Sequence, residues 1–352
     1  MKKVNESIEW YKRNISVYQT LARKVEEILK ENLTQNQIQV HSITSRGKRL
    51  DSYTAKAKNE KYHNPKEEIK DMAGIRVITY LESDVNKVSN IVENLFNVIP
   101  EDSINQSKLL GSDRVGYRSV HYVATLSKDR CKLPEYKIYD KLPFEIQIRS
   151  LLQHTWAEIE HDRNYKFSGK LPSELERRFY LVAGMLEVAD NEFTSIAQEI
   201  EEYRNNVVDE LIKGELDIEI NTTSLREYLS KKFSEMIKED LLIPNFGTND
   251  SLSKEIVEEL HLFGVSKLYE LDSIVPENYQ EYSRRIPENW TNFAGLIRDI
   301  LIINNAKRYF EVCWKKRWDS IGLNEQKLFK NYRVDLNILT KYINLEQFNI
   351  PR

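Results

Sequence analysis

Four small groups of polar residues in this chain have the types and spacing to handle phosphate. Arg46 and Lys48 stand together in SRGK, with Lys56 downstream. Asp71 and Arg76 bracket the run DMAGIR. Tyr117, Arg118 and His121 fall within GYRSVHY. Glu145, Gln147 and Arg149 alternate with Phe144, Ile146 and Ile148 in PFEIQIRS. Two carboxylates, Asp71 and Glu145, could share one Mg²⁺, an ion that keeps several waters and takes one or two carboxylates beside substrate phosphates. The cations could hold a polyphosphate and offset charge that grows in a transition state. Tyr117 and the arginine planes could stack a base.

Each group also has a plainer reading. The alternation in FEIQIR describes a half-buried strand and, by itself, serves a solvent-facing strand equally well. Arg76 within an apolar strand favours function, because a buried guanidinium without a partner is costly. Tyr117 and His121 taken singly fit ordinary sheet neighbours. His154, Glu160 and His161 lack the paired spacing of a zinc helix and no cysteines complete a site, so metal binding is not expected there.

These residues need elements to bring them together. Apolar positions at three- and four-residue steps predict an amphipathic helix over 5–32. Strands are expected at 38–44, 71–81, 116–126 and 143–150, with helical segments at 52–61 and 84–98 and a polar loop at 100–115. A helix follows PFEIQIRS, broken at Leu171-Pro172-Ser173, and a long helix runs on to about residue 207, opened by a capping box of Ser173 and Glu176. The order gives an α+β class, a mixed sheet flanked by helices, with ligand-binding residues at strand ends.

The chain has 352 residues, a formal net charge of −3 and 40% apolar residues, which suits two soluble domains and excludes a global basic field for nucleic acid. Only Cys131 and Cys313 occur, so neither a disulfide scaffold nor a cysteine zinc site is expected. No apolar h-region opens MKKVNESIEWYKRN and no apolar run approaches membrane-spanning length, so no membrane association and a cytoplasmic location are expected.

In that order and spacing, SRGK, DMAGIRV, GYRSVHY and FEIQIRSLLQHTWAEIEHDRNYK resemble the synthetase domain of the RelA/SpoT family, the alarmone synthetases, over roughly residues 38–166. The resemblance implies a nucleotidyltransferase-like fold and Mg²⁺-dependent transfer of a pyrophosphoryl group from ATP to the 3′-hydroxyl of GTP or GDP, giving (p)ppGpp. It implies that Arg46 and Arg76 sandwich adenine, that Lys48 and Lys56 contact the donor phosphates, and that Asp71 and Glu145 bind the metal. Tyr117 matches the residue that stacks on guanine. Arg118, His121, Gln147 and Arg149 match positions around the acceptor nucleotide, with His154 where small members often carry asparagine. The resemblance further implies that Glu145 polarises the attacking hydroxyl and forms the catalytic group with Gln147 and Arg149.

Some small members of the family resemble toxins that modify the 3′ end of tRNA and are restrained by an antitoxin or a fused domain. The basic run from Arg46 to Lys61, diluted by Thr54, Ala55 and Ala57, leaves that alternative open. Small members often oligomerise, so a homo-oligomer is among the partners the resemblance allows. A catalytically silent regulator is disfavoured because both metal carboxylates are present. His161-Asp162 is superficially similar to the family's hydrolase motif, but that domain would lie N-terminal to the synthetase and needs further histidines and acids for which the residues before 38 give too little room, so alarmone hydrolysis is not expected.

The expected division is a synthetase domain over 1–210 and a mainly helical domain over 211–352, the latter a control element that docks a partner, senses a trigger protein or autoinhibits. Within it, 256–275 reads as two short helices around Gly264, closer to plain packing than to a nucleic-acid hairpin. KRYFEVCWKKRW interleaves cations with aromatics as single-stranded nucleic-acid surfaces do. The competing and preferred reading is an amphipathic helix with Phe310, Cys313 and Trp314 buried.

Overall fold

Helix α1 (Lys2–Gln35) turns Tyr11, Tyr18, Leu21, Ala22, Val25 and Leu29 inward, each at most 2% exposed, as its three- and four-residue spacing predicts. The computed structural model describes residues 2–105, 119–166, 172–247, 251–287, 289–316 and 318–346. Tyr117 and Arg118 lie outside the described residues, as do the side chains of His161 and Asp162. The chain forms two compact units, Met1–Gln198 and Glu199–Arg352.

In the first unit α1 is followed by β1 (Val40–Gly47), α2 (Leu50–Ala57), α3 (Pro65–Glu68) and β2 (Ala73–Thr79). Then come α4 (Glu82–Leu95), β3 (Phe96–Val98), β4 (Ile104–Asn105), β5 (Val120–Leu126) and β6 (Phe144–Ser150). Helices α5 (Leu151–Lys166) and α6 (Ser173–Lys213) complete the series, α6 running past the unit boundary. The sheet order is β1-β2-β6-β5-β3, with β4 on β5; only β2 and β6 pair in parallel. The expected mixed sheet with flanking helices is what forms. Ile75, Val77, Phe144, Ile146 and Ile148 join the inward residues of α1 in one core. The polar residues between them face the other way, as a two-residue period requires.

The helix expected over 84–98 stops at Leu95 instead. Phe96–Val98 pairs with β5, and the buried Phe96 ring meets Phe144 edge-on at 5.1 Å, so strand pairing overrides the helical pattern.

The second unit has its own core, centred on helix Phe293–Arg308. The stretch after α6 makes a single bridge, Glu219 to Lys267, before the Asn221 side chain caps helix Thr222–Lys232 through the Thr223 and Ser224 amides. Helices Ser251–Phe263 and Leu268–Ile274 do flank Gly264, whose φ of +90° favours glycine, and Ile256, Leu260, Leu268 and Leu271 are core residues of ordinary packing. The continuous helix expected over 307–318 does not form. Helix Phe293–Arg308 gives way to a π-helical turn, Tyr309–Cys313, that puts Tyr309, Phe310 and Cys313 in the core. No helix among the described residues is long and apolar enough to cross a membrane.

Candidate active site

Register places the site. Gly74 lies opposite Glu145 and Arg76 opposite Gln147 across the parallel pair, while Arg46 faces Gly74 from β1 and His121 faces Gln147 from β5. Because side chains alternate along each strand, this register sends the side chains of Arg46, Arg76, Glu145 and Gln147 to one face. There they line, with Asp71, a cleft of about 270 Å³. The absence of a side chain at Gly74 leaves the floor between Arg46 and Glu145 open.

Asp71 sits just before β2, largely buried. Its Oδ2 accepts from Lys48 Nζ at 2.7 Å and pairs with Lys56 Nζ at 2.9 Å. Burial pushes its carboxyl up, but the two ammonium groups outweigh that and hold it below the ordinary aspartate range. The same ion pair outweighs burial at Lys56 and raises it. The other oxygen, Asp71 Oδ1, is buried with no hydrogen-bond partner among the described residues.

Glu145 is held on both oxygens. His121 Nδ1 stands 2.9 Å from Oε1 and Gln147 Nε2 donates to Oε2 at 3.1 Å. Burial again works upward and nearby Asp71 adds to it, yet the His121 contact prevails and keeps Glu145 below its ordinary range. An ionised carboxylate only accepts, so His121 carries a proton on Nδ1. Two acids thus remain charged in one small cleft because each has its own cationic or donor partners.

Arg149 follows on the same face of β6 but is buried, 8% exposed, and His154 lies in the first turns of α5; neither is among the described residues lining the cleft. Burial, then the charge of Arg76, pushes the His154 imidazole below its ordinary range. Sequence reasoning missed Glu158. Its Oε1 accepts from Arg76 Nη1 at 2.9 Å and lies 3.8 Å from His154 Nδ1, so it satisfies the arginine whose place in an apolar strand needed explaining. The i,i+4 spacing from His154 was the available signal.

The family description "Region found in RelA / SpoT proteins" matches residues 45–170, from the end of β1 past α5. Residues 45–170 thus match the RelA/SpoT family. Among curated relatives, the GTP pyrophosphokinase YjbM of Bacillus subtilis is 28% identical over 167 residues, covering 46% of this chain and 74% of the relative. The GTP pyrophosphokinase YwaC of the same organism is 30% identical over 139 residues, covering 39% of this chain and 61% of the relative. Among solved structures, the small alarmone synthetase 1 from Bacillus subtilis is 26% identical with a TM-score of 0.47, covering 55% of this chain and 99% of that one. A GTP pyrophosphokinase family protein from Streptococcus pneumoniae is 28% identical with a TM-score of 0.44, covering 55% of this chain and 94% of that one. At family level, then, residues 45–170 carry a RelA/SpoT synthetase region, and the curated relatives that match it are GTP pyrophosphokinases.

Proposed function

We propose that this chain transfers a pyrophosphoryl group from ATP to the 3′-hydroxyl of GTP or GDP, producing (p)ppGpp, with Mg²⁺ as its cofactor. The observation that carries the reading is the meeting of Asp71, Glu145, Arg46 and Arg76 in one cleft inside the region that matches the family.

The residues fit the metal. No group of three or more His, Cys, Asp and Glu side chains that could hold a metal occurs among the described residues, so an all-protein cage is not on offer. Mg²⁺ does not need one, since it takes few carboxylates and keeps waters and substrate phosphates. Asp71 Oδ1 is a buried acceptor awaiting a partner, and Glu145 supplies the second carboxylate. Bound there, the ion would neutralise charge on the donor phosphates.

The protein's own part follows from its contacts. Arg46 and Arg76 offer two planar cations on adjacent strands, suited to a flat base, and Glu158 fixes the aim of Arg76. Lys48 and Lys56 exchange part of their hold on Asp71 for donor phosphate oxygens. Attack of the 3′-oxygen on the β-phosphorus forms the O3′–Pβ bond and breaks the bond from Pβ to the oxygen bridging to Pα, so AMP leaves with that oxygen. Glu145 is a weak base at rest, and its service is to accept the hydrogen bond of the attacking hydroxyl and take its proton as the new bond forms. His121 and Gln147 keep it oriented for that.

The tRNA alternative draws little support from the basic-aromatic segment, because Tyr309 and Phe310 are buried and Trp314 and Trp318 are half-buried against the same core. The deciding experiment supplies γ-labelled ATP with GTP, GDP and deacylated tRNA in parallel. Label is expected on the guanine nucleotides; label on tRNA alone overturns the proposal.

A further inference from the structure

We propose that Asp190, on a helix beyond the matched region, is a positioning residue for the cleft: by accepting the Ser150 hydroxyl it fixes the junction where β6 passes into α5. The inference rests on the reading of this cleft as a pyrophosphokinase site.

Ser150 is the last residue of β6, fully buried and in register with Thr79. It is also the N-cap of α5. Its amide donates to Gln153 Oε1 at 3.0 Å, and the Gln153 amide donates back to Ser150 Oγ at 3.2 Å, a reciprocal capping box. That leaves the Ser150 hydroxyl proton, which goes to Asp190 Oδ2. Three side chains, from β6, α5 and α6, thus meet at the Ser150 amide and hydroxyl.

Asp190 is a poor choice for stability alone. It is 2% exposed, its carboxylate has only the neutral Ser150 hydroxyl as a hydrogen-bond partner among the described residues, and Oδ1 has none. A buried carboxylate with so little compensation is expensive. Burial accordingly raises its carboxyl, with the Ser150 hydrogen bond opposing.

What the junction controls justifies the expense. On the strand side it directly follows Arg149 and closes the segment that carries Glu145 and Gln147. Thr79 completes the strand end by donating to the Leu81 carbonyl at 2.7 Å. On the helix side the cap sets the start of α5, whose Glu158 holds Arg76 at 2.9 Å. One contact from α6 thus bears on both walls of the cleft.

The test uses the full chain with labelled ATP and GTP, at a temperature where melting curves show each variant folded. Wild type comes first; if it makes no labelled nucleotide, the pyrophosphokinase reading fails and this inference with it. With wild type active, Asp190→Ala and Ser150→Ala are each expected to lower kcat about tenfold, since small misplacements of reacting groups are costly, with KM for ATP changed less than twofold. The double variant is expected to be no worse than either single one, the mark of two residues acting through one contact. Asp190→Asn keeps a carbonyl acceptor and is expected to recover to within about twofold of wild type. Unchanged kcat in folded Asp190→Ala, additive losses in the double variant, or Asn as defective as Ala overturns the proposal while leaving the activity standing. Should Asp190→Ala not fold, Ser150→Ala and Asp190→Asn decide alone: a full-rate Ser150→Ala or an inactive, folded Asp190→Asn sinks it.

Discussion

Asp71 condenses the chemistry of the site into one side chain. Its carboxyl lies below the ordinary aspartate range in the fold because two lysines share its Oδ2, so the ionised form is the one that folding favours. A carboxylate lowered in this way contributes stability above its unfolded pKa, near 4, and loses it as pH falls through the still lower folded value. Asp71→Asn is therefore expected to cost about 1 kcal/mol at neutral pH, a figure reduced because the three side chains are partly exposed. That difference should close in denaturant titrations as the pH drops below about 4. Its turnover should fall at least about a hundredfold, the scale for removing a charge-stabilising group. A deficit in stability that persists unchanged into acid contradicts the assignment. At this scale much was legible beforehand. Arg46, Asp71, Arg76, Glu145 and Gln147 stand in or beside strands, and alternation with a known register brings them to one face. Asp190 was not legible, since its partner lies 40 residues away, and Glu158 showed only through its i,i+4 spacing from His154, its pairing with Arg76 spanning 82 residues.

Elements matter here through how tightly they press on the motifs. Gly47, at the end of β1, lies so close to α1 that a Cβ would come within 2.4 Å of Gln19 Cγ and 3.2 Å of its Cα. Next to it, the Tyr11 hydroxyl donates to the Lys48 carbonyl at 2.7 Å, and the Tyr11 ring stacks on Tyr53 of α2 at 4.1 Å. Helix α1, which precedes the matched region, is thus the backing plate for the SRGK turn. Gly47→Ala should shift α1 outward and cost roughly 1–3 kcal/mol, the range for overpacking. Because Lys48 moves with the turn, KM for ATP should rise severalfold in the folded variant; a melting loss with unaltered kinetics would confine α1 to a stabilising role. The glycine in SRGK marked a turn in the sequence, but periodicity carries no information on which helix crosses it. The same limit explains β3: the pattern of 84–98 is helical, and only pairing with β5 makes Phe96–Val98 extended.

At the scale of the whole molecule, the second unit carries a titration of its own. Helix Phe293–Arg308 carries two consecutive charged residues into the core region, Arg298 half-buried and Asp299 buried. Arg298 forms a two-bond pair with Glu259, at 2.7 and 3.2 Å, and Tyr309 also donates to that acid, so its charge is compensated. Among the described residues the Asp299 carboxyl has only the Tyr279 hydroxyl, at 2.7 Å, and burial, with Glu325 adding, pushes it up to about 7. A folded value above the unfolded one, near 4, means the folded unit keeps a proton that the unfolded chain has released. Stability is then fully present at low pH and declines as pH rises from about 4 to about 7, by up to about 4 kcal/mol. Amide exchange along Phe293–Arg308 in the full chain should therefore be slower at pH 5 than at pH 8, once corrected for intrinsic rates. Asp299→Asn keeps an acceptor for Tyr279 but cannot ionise, so it should abolish that difference and protect the helix better than wild type at pH 8. An Asn variant with the wild-type pH dependence places the titrating group elsewhere in the unit, with Glu325 the next to replace.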